Sequence, residues 1–188
     1  HLIHHYLLNS NFLYNQKVDL VDSKKNLETL IKEIEDVVKN SFKEAYDEID
    51  KNFNYMCKEI LNNSIGNLSL LDETDLLESG VELMVKFKNK KYQSLSLLSG
   101  GEKSMVAVAL IMAIFMYKPS PFTFFDEIEA ALDESNTKRL LRKLKEFTDR
   151  SQFILITHNK HTMKESDQLY GVTMNKEIGE SKILSVVL

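Results

Sequence analysis

The sequence has 188 residues, 43% of them hydrophobic, with 24 basic against 28 acidic side chains and a net charge of -4. That length holds one domain core plus an appended element and excludes two full-sized domains, while the near balance of charge argues neither for nor against a local basic patch that meets nucleic acid. The single cysteine, Cys57, excludes an internal disulfide and has no companion at metal-ligand spacing, which points to a reducing compartment.

In chain order, His1, His4 and His5 come first and place imidazoles near one helical face, yet nothing nearby supplies further metal ligands. From Asp19 to Leu61 there is no Pro or Gly, and apolar residues recur at Leu27, Ile31, Ile34, Val38, Phe42, Ala45, Ile49, Phe53, Met56 and Ile60. This predicts one long amphipathic helix. The steps average about 3.67 residues, nearer an eleven-residue than a seven-residue period, so the stretch itself predicts a helix laid along a globular surface, with any coiled coil upstream. Residues 1–61 are therefore assigned to a helical arm or neck and residues 62–188 to a lobe.

The lobe opens with a break at Asn62-Asn63-Ser64-Ile65-Gly66, followed by short strands over 67–71 and 81–87 around an acidic loop with Gly80. A further extended segment, 93–98, leads into Ser99-Gly100-Gly101 and a helix from Glu102 to Tyr117 that is apolar all round and so expected to be buried all round. Its apolar run, 105–117, falls short of the roughly 20 residues that span a bilayer, and no signal-peptide pattern opens the sequence, so a cytoplasmic location with no membrane partner is expected. Pro119 and Pro121 precede Phe122-Thr-Phe-Phe125, which reads as a buried strand of a parallel sheet. A helix over 134–147, a strand over 152–157, a short helix over 160–166 and strands over 169–174 and 182–187 follow. Strands alternating with helices predict an α/β fold with a mostly parallel sheet, entered by the long helix.

Three segments ask for chemistry. In Ser99-Gly100-Gly101-Glu102, Ser99 as N-cap and Glu102 three residues on form a capping box; the same hydroxyl and bare glycine amides at the positive end of a helix also form a phosphate seat. Asp126 and Glu127 end an apolar strand, where open α/β sheets bind ligands. Adjacent acids there can divide labour, Asp126 on Mg²⁺ or its water shell and Glu127 on an attacking water, with a solvated strand-to-loop junction as the other reading. His158 ends the next strand, where a lone histidine is more often structural or merely exposed and where contact with a terminal phosphate is the other reading; His161, three residues on, suggests a two-histidine metal site, but no supporting second shell is visible in the sequence. Lys138, Arg139, Arg142, Lys143 and Lys145 form a basic helix segment that reads as a solvated face, with phosphate contact as the other reading, and Lys88, Lys90 and Lys91 sit in a turn.

Together these segments resemble the ABC-type ATPases: Leu98-Ser-Gly-Gly-Glu-Lys103 resembles the signature loop, Phe122 to Glu127 the Walker B strand, Ala131-Leu132-Asp133 the D-loop, and His158 the switch histidine. Within that superfamily, Leu95 to Lys103, Phe125-Asp-Glu-Ile-Glu-Ala-Ala-Leu-Asp133, Asp50-Lys-Asn-Phe53 and the ending from Thr162-Met163 through Leu169-Tyr-Gly-Val-Thr-Met174 resemble bacterial SMC (structural maintenance of chromosomes) proteins. The resemblance covers roughly residues 19–188. Two turns depart from the family pattern, at Asn63-Ser-Ile-Gly66 and Phe87-Lys-Asn-Lys-Lys91. No Gly-x-x-x-x-Gly-Lys-Ser/Thr phosphate loop occurs anywhere in the sequence. In the family that loop lies in an N-terminal segment beyond long arms, so the resemblance implies that this chain is the C-terminal half of a head.

It further implies that two heads sandwich ATP and Mg²⁺. Ser99, Gly100, Gly101 and Glu102 of one head would face the γ-phosphate held by the other. Asp126 would serve Mg²⁺, Glu127 and His158 the hydrolysis, and Asp133 the communication between paired sites. The implied partners are the N-terminal half of the same head, a second SMC subunit, a kleisin and DNA in the nucleoid. A RecN-like or RecF-like repair ATPase is the alternative within the superfamily, and a truncated, non-catalytic interaction module is the alternative outside it. The chain alone is expected to be inactive.

Overall fold

A computed structural model describes residues 2–72, 74–175 and 179–186. Helix α1 runs Leu2–Ile60, well upstream of the expected start at Asp19, because residues 2–18 contain neither Gly nor Pro to stop it. It ends where Asn62 and Asn63 both take positive φ (53° and 58°) and the Asn63 amide donates to the Lys58 carbonyl at 3.0 Å. His1 and the side chains of His4 and His5 lie outside what is described, and among the described residues no cluster of three potential metal ligands occurs.

The chain divides into two units, 1–46 with 72–79, and 47–71 with 80–188. In the first, the apolar stripe of Leu27, Ile31, Ile34 and Val38 is exposed. Among the described residues this stripe has the expected amphipathic period and stands exposed. From Phe53 onward the same periodicity is buried, with Phe53, Met56, Cys57 and Ile60 in the core of the second unit.

That core is built by the end of α1, a small sheet and two helices. Strands β1 (Ile65–Leu70), β2 (Val81–Lys86) and β3 (Gln93–Ser94) form an antiparallel sheet in that order. The extended segment expected over 93–98 shortens because Ser94 caps a 3-10 turn, Leu95–Leu97. Helix α2 (Gly100–Tyr117) buries Val106, Val108, Ala109, Met112, Ala113 and Phe115 but leaves Ile111, Ile114 and Tyr117 exposed, so it is not buried all round. Its apolar composition and 18 residues would suffice for a membrane span, but a third of it lies inside this core.

Strand β4 (Phe122–Asp126) and strand β5 (Gln152–Ile156) pair in parallel, Phe122 opposite Gln152 and Asp126 opposite Ile156, across the crossover helix α3 (Glu134–Glu146). Pleating puts Phe125, Phe153 and Leu155 toward the core, where Phe153 stacks on Phe125 (6.1 Å) and meets Phe115 (5.4 Å). The other face carries Phe122, Phe124, Ile154 and Ile156 in the open, with Phe124 63% exposed. The expectation of a fully buried strand holds for one face only. After the short helix α4 (Lys160–Glu165), β6 (Leu169–Asn175) and β7 (Glu180–Val186) make an antiparallel hairpin; the expected strand end at Val187 lies outside the described residues.

The α/β class is as expected. Among the described residues the pairing is less parallel than expected, since there only β4 and β5 are joined by a helix long enough to bring the chain back in the same direction, and the other paired neighbours are joined by turns or loops.

Candidate functional site

The Ser99 end of α2 is a complete capping box. The Ser99 hydroxyl accepts from the Glu102 amide (3.4 Å) and donates to Glu102 Oε2 (2.9 Å), and the same oxygen accepts from the Ser99 amide (3.0 Å). Lys90, from the turn after β2, reaches Glu102 Oε1 at 2.7 Å. The Lys90 hydrogen bond first, then the Ser99 amide and hydroxyl, hold the Glu102 carboxyl down to about 2. A β-carbon added at Gly100 or Gly101 would meet nothing within 4 Å, and neither takes a positive φ. Nothing among the described residues needs glycine there. Both positions are exposed, leaving an open backbone at the helix N-terminus.

Asp126 and Glu127 stand where β4 ends. Glu127 is held at φ 46° by its amide donating to the Ile156 carbonyl (2.9 Å) and its carbonyl accepting from the Ala130 amide (2.9 Å). A non-glycine residue in that region stores strain, and such strain concentrates at functional sites. The turn aims the Glu127 carboxylate at the next loop, where Oε1 lies 3.1 Å from His158 Nδ1. Both side chains are largely solvent-exposed. A cavity of about 100 Å³ lies between the two loops, lined by Glu127, Glu129, Ala130, Leu132, Thr157, His158 and Asn159.

Asp133 begins α3 as its N-cap, accepting from the Asn136 amide at 2.7 Å. Asn136 in turn reaches Met105 Sδ on α2 (3.2 Å) and accepts from Arg139 (3.1 Å), so the loop through Asp133 is fastened to the helix that begins at the Ser99 box. The structure thus brings Glu127 and His158 into contact, places Asp126 at the exposed end of the same strand, and anchors Ser99, Glu102 and Asp133 each at a helix start. His161 pairs with Glu134 (3.3 Å) rather than with His158.

The basic segment is corrected in one member. Lys143 is buried, 2.8 Å from Glu59, 2.9 Å from Glu146 and 2.7 Å from the Tyr55 hydroxyl. Burial alone would lower its pKa, but the Glu59, Tyr55 and Glu146 hydrogen bonds outweigh it and raise the group above the usual lysine value. Lys138 and Lys145 pair with Glu134 and Glu165 on the surface. Sequence reasoning missed Glu129, whose carboxylate is buried (5% exposed) and accepts from the hydroxyls of Thr157 and Thr162. The signal available was its place in the same turn as Glu127, two residues on.

Chromosome partition protein Smc of Fusobacterium nucleatum is 62% identical over 175 residues, 93% of this chain and 15% of that protein. Its counterpart in Bacillus subtilis is 43% identical over 177 residues, 94% of this chain and 15% of that protein. The chain thus spans about 15% of the length of the curated relatives it matches. Among solved structures, the Pyrococcus furiosus Smc head domain with an extended coiled coil, bound to the C-terminal domain of ScpA, superposes at TM-score 0.79 and 34% identity, over 93% of this chain and 44% of that one. A structure described for ATP-driven dimerization and DNA-stimulated activation of SMC ATPases superposes at 0.72 and 34% identity, over 79% of this chain and 89% of that one. The family model described as the RecF/RecN/SMC N terminal domain matches residues 4–180, and with these relatives it establishes that the chain belongs to this family of ABC-type ATPase heads.

Proposed function

We propose that this chain is the signature-loop and Walker B half of an SMC ATPase head, completed by an N-terminal segment of the same protein that carries the phosphate loop. The Glu127 carboxylate facing His158 at the end of β4 carries this reading. One further fact supports it: the sequence has no phosphate loop. The exposed face of β4 and β5 gives the other half an apolar surface to cover.

The residues fit Mg²⁺-ATP. Mg²⁺ is usually held by one or two carboxylates together with substrate phosphates, and Asp126 offers a single exposed carboxylate at a strand end. The open backbone at Gly100 and Gly101 admits a phosphate without a side chain in the way. Bound Mg²⁺ would neutralise charge developing on the phosphates. Glu127 orients an attacking water and accepts its proton, His158 holds the Glu127 carboxylate in place and reaches toward the terminal phosphate, and Ser99 with its glycines closes the site from an opposed head. Asp133, capping α3 beside that interface, relays engagement between the paired sites.

In the full-length protein, engagement and release of heads would drive DNA organisation in the cytoplasm, with a second SMC subunit and a kleisin as partners. One solved relative carries the C-terminal domain of ScpA on its head. The deciding experiment is single-turnover hydrolysis by Glu127→Gln in the full-length protein. ATP binding should persist while the chemical step slows by about a hundredfold to ten-thousandfold, the usual contribution of a general base. Near-normal turnover would leave the chain as an interaction module.

A further inference from the structure

Glu129 sits in a position that is costly to occupy. Its carboxylate is almost wholly buried, and among the described residues it has no lysine or arginine partner. Removing an ionised carboxylate from water is unfavourable unless hydrogen bonds replace the lost hydration. Here one oxygen, Oε1, receives both replacements, from Thr157 Oγ1 and from Thr162 Oγ1 at 2.8 Å. Those donors bracket the loop that carries His158. Thr157 immediately precedes it, and the Thr157 hydroxyl also accepts from the Asn159 amide at 2.9 Å, so the chain is tied on both sides of the imidazole. Thr162 lies in α4, which Asn159 caps through the His161 amide at 2.8 Å. At the other end, Glu129 belongs to the turn that begins at Glu127, closed by the Ala130 amide on the Glu127 carbonyl and the Leu132 amide on the Glu129 carbonyl, both 2.9 Å.

We propose that Glu129 is a positioning residue that fixes the His158 loop against the Glu127 turn, through a single oxygen shared by Thr157 and Thr162. This rests on the reading of Glu127 as the residue that activates water. The clasp sets the 3.1 Å approach of His158 to Glu127 and helps hold Glu127 in its strained backbone conformation. Its work is done by an acceptor in the right place, so the charge itself is dispensable. Glutamine, which keeps a carbonyl oxygen at Oε1, should serve nearly as well.

The test uses the full-length protein and steady-state ATP hydrolysis, with His158→Ala as the second arm of a double-mutant cycle. Glu129→Gln should keep kcat within about threefold, whereas Glu129→Leu should lower kcat by about tenfold to a hundredfold with KM for ATP nearly unchanged, the scale expected when a reacting group is misplaced by about 1 Å. Thr162→Val, which deletes one donor without changing shape, should lower kcat by about threefold to tenfold, and this loss should vanish when His158 is already alanine, since groups acting as one unit are not additive. If Glu129→Leu does not fold, the Thr162→Val and His158→Ala cycle decides alone. Additive losses in that cycle, a Glu129→Gln variant as slow as Glu129→Leu, or unchanged turnover in both Glu129→Leu and Thr162→Val would overturn the proposal. Glu127→Gln runs alongside: inactive Glu127→Gln with unaffected Thr162→Val removes only the clasp, while active Glu127→Gln removes the hydrolytic reading itself.

Discussion

Lys143 Nζ lies 2.8 Å from Glu59 Oε2, joining the last turn of one helix to the last turn of another, 84 residues earlier in the chain. The Tyr55 ring covers the ammonium at 4.9 Å, and Glu146 completes the group. Removing one member of a buried pair strands the other, so Lys143→Ala should destabilise the head by about 2–4 kcal/mol, below the top of the range for buried pairs because both glutamates still reach water. Lys138→Ala, whose partner is in open solvent, should leave the unfolding midpoint unchanged. Chemical denaturation of the two variants makes the comparison, and equal midpoints would show that the Lys143 group contributes no more than a surface pair.

Gly66 is glycine because of what it faces. A β-carbon there would lie 2.5 Å from Cys57 Sγ and 2.7 Å from Phe53 Cε1. Gly66→Ala should therefore cost about 1–3 kcal/mol by overpacking, and Cys57→Ala in the same chain should restore part of it by removing the sulfur. Equilibrium unfolding of the single and double variants reads this directly.

Cys57 is otherwise inert. Burial pushes its thiol up to about 12, so the reactive thiolate is scarce at neutral pH. Iodoacetamide at pH 8 should leave the native protein unmodified and label it once denaturant opens the core, as mass spectrometry would show.

At the Ser99 end of α2 the two proposed roles separate by substitution. Ser99→Ala removes the cap and should cost about 1 kcal/mol. Ser99→Arg should in addition fill the open approach over Gly100 and Gly101, abolishing ATP-dependent pairing of heads while each head still binds nucleotide. Size-exclusion chromatography with ATP decides it: dimers that survive Ser99→Arg would take this helix end out of the interface.

The Glu102 carboxyl, held down to about 2 by Lys90 and Ser99, makes the same box sensitive to acid. A depressed folded pKa contributes stability that is fully present above the unfolded value of 4.5 and is lost as pH falls toward 2. The melting-temperature gap between the protein and its Glu102→Gln variant should thus be constant above pH 5 and close between pH 4.5 and 2. A gap independent of pH would mean that Glu102 acts through shape alone.

The local features were legible in the sequence because local chemistry makes them. Ser99 and Glu102 form the expected box, Asp126 ends the expected strand with Glu127 next to it, and His158 follows two residues after the end of the next one. What the sequence concealed was pairing over distance. Lys143 looks like its solvated neighbours until residues 55 and 59 are brought beside it. Glu129 looks like one more surface acid until the loop at 157–162 closes over it. The exposed sides of α2 and β4 were misjudged for a related reason: an apolar pattern states that a surface wants covering, and says nothing about which chain covers it.

The backbone at Glu127 has one more consequence. At φ 46° a glycine would sit without strain, while a glutamate pays on the order of 1–3 kcal/mol to stay. Glu127→Gly should therefore melt at a higher temperature than the native protein. Selection for thermal robustness alone would discard this side chain, so a library screened only for folding should enrich glycine or asparagine at 127, and the depth of that enrichment would measure how much stability the fold gives up to hold a carboxylate over the cavity.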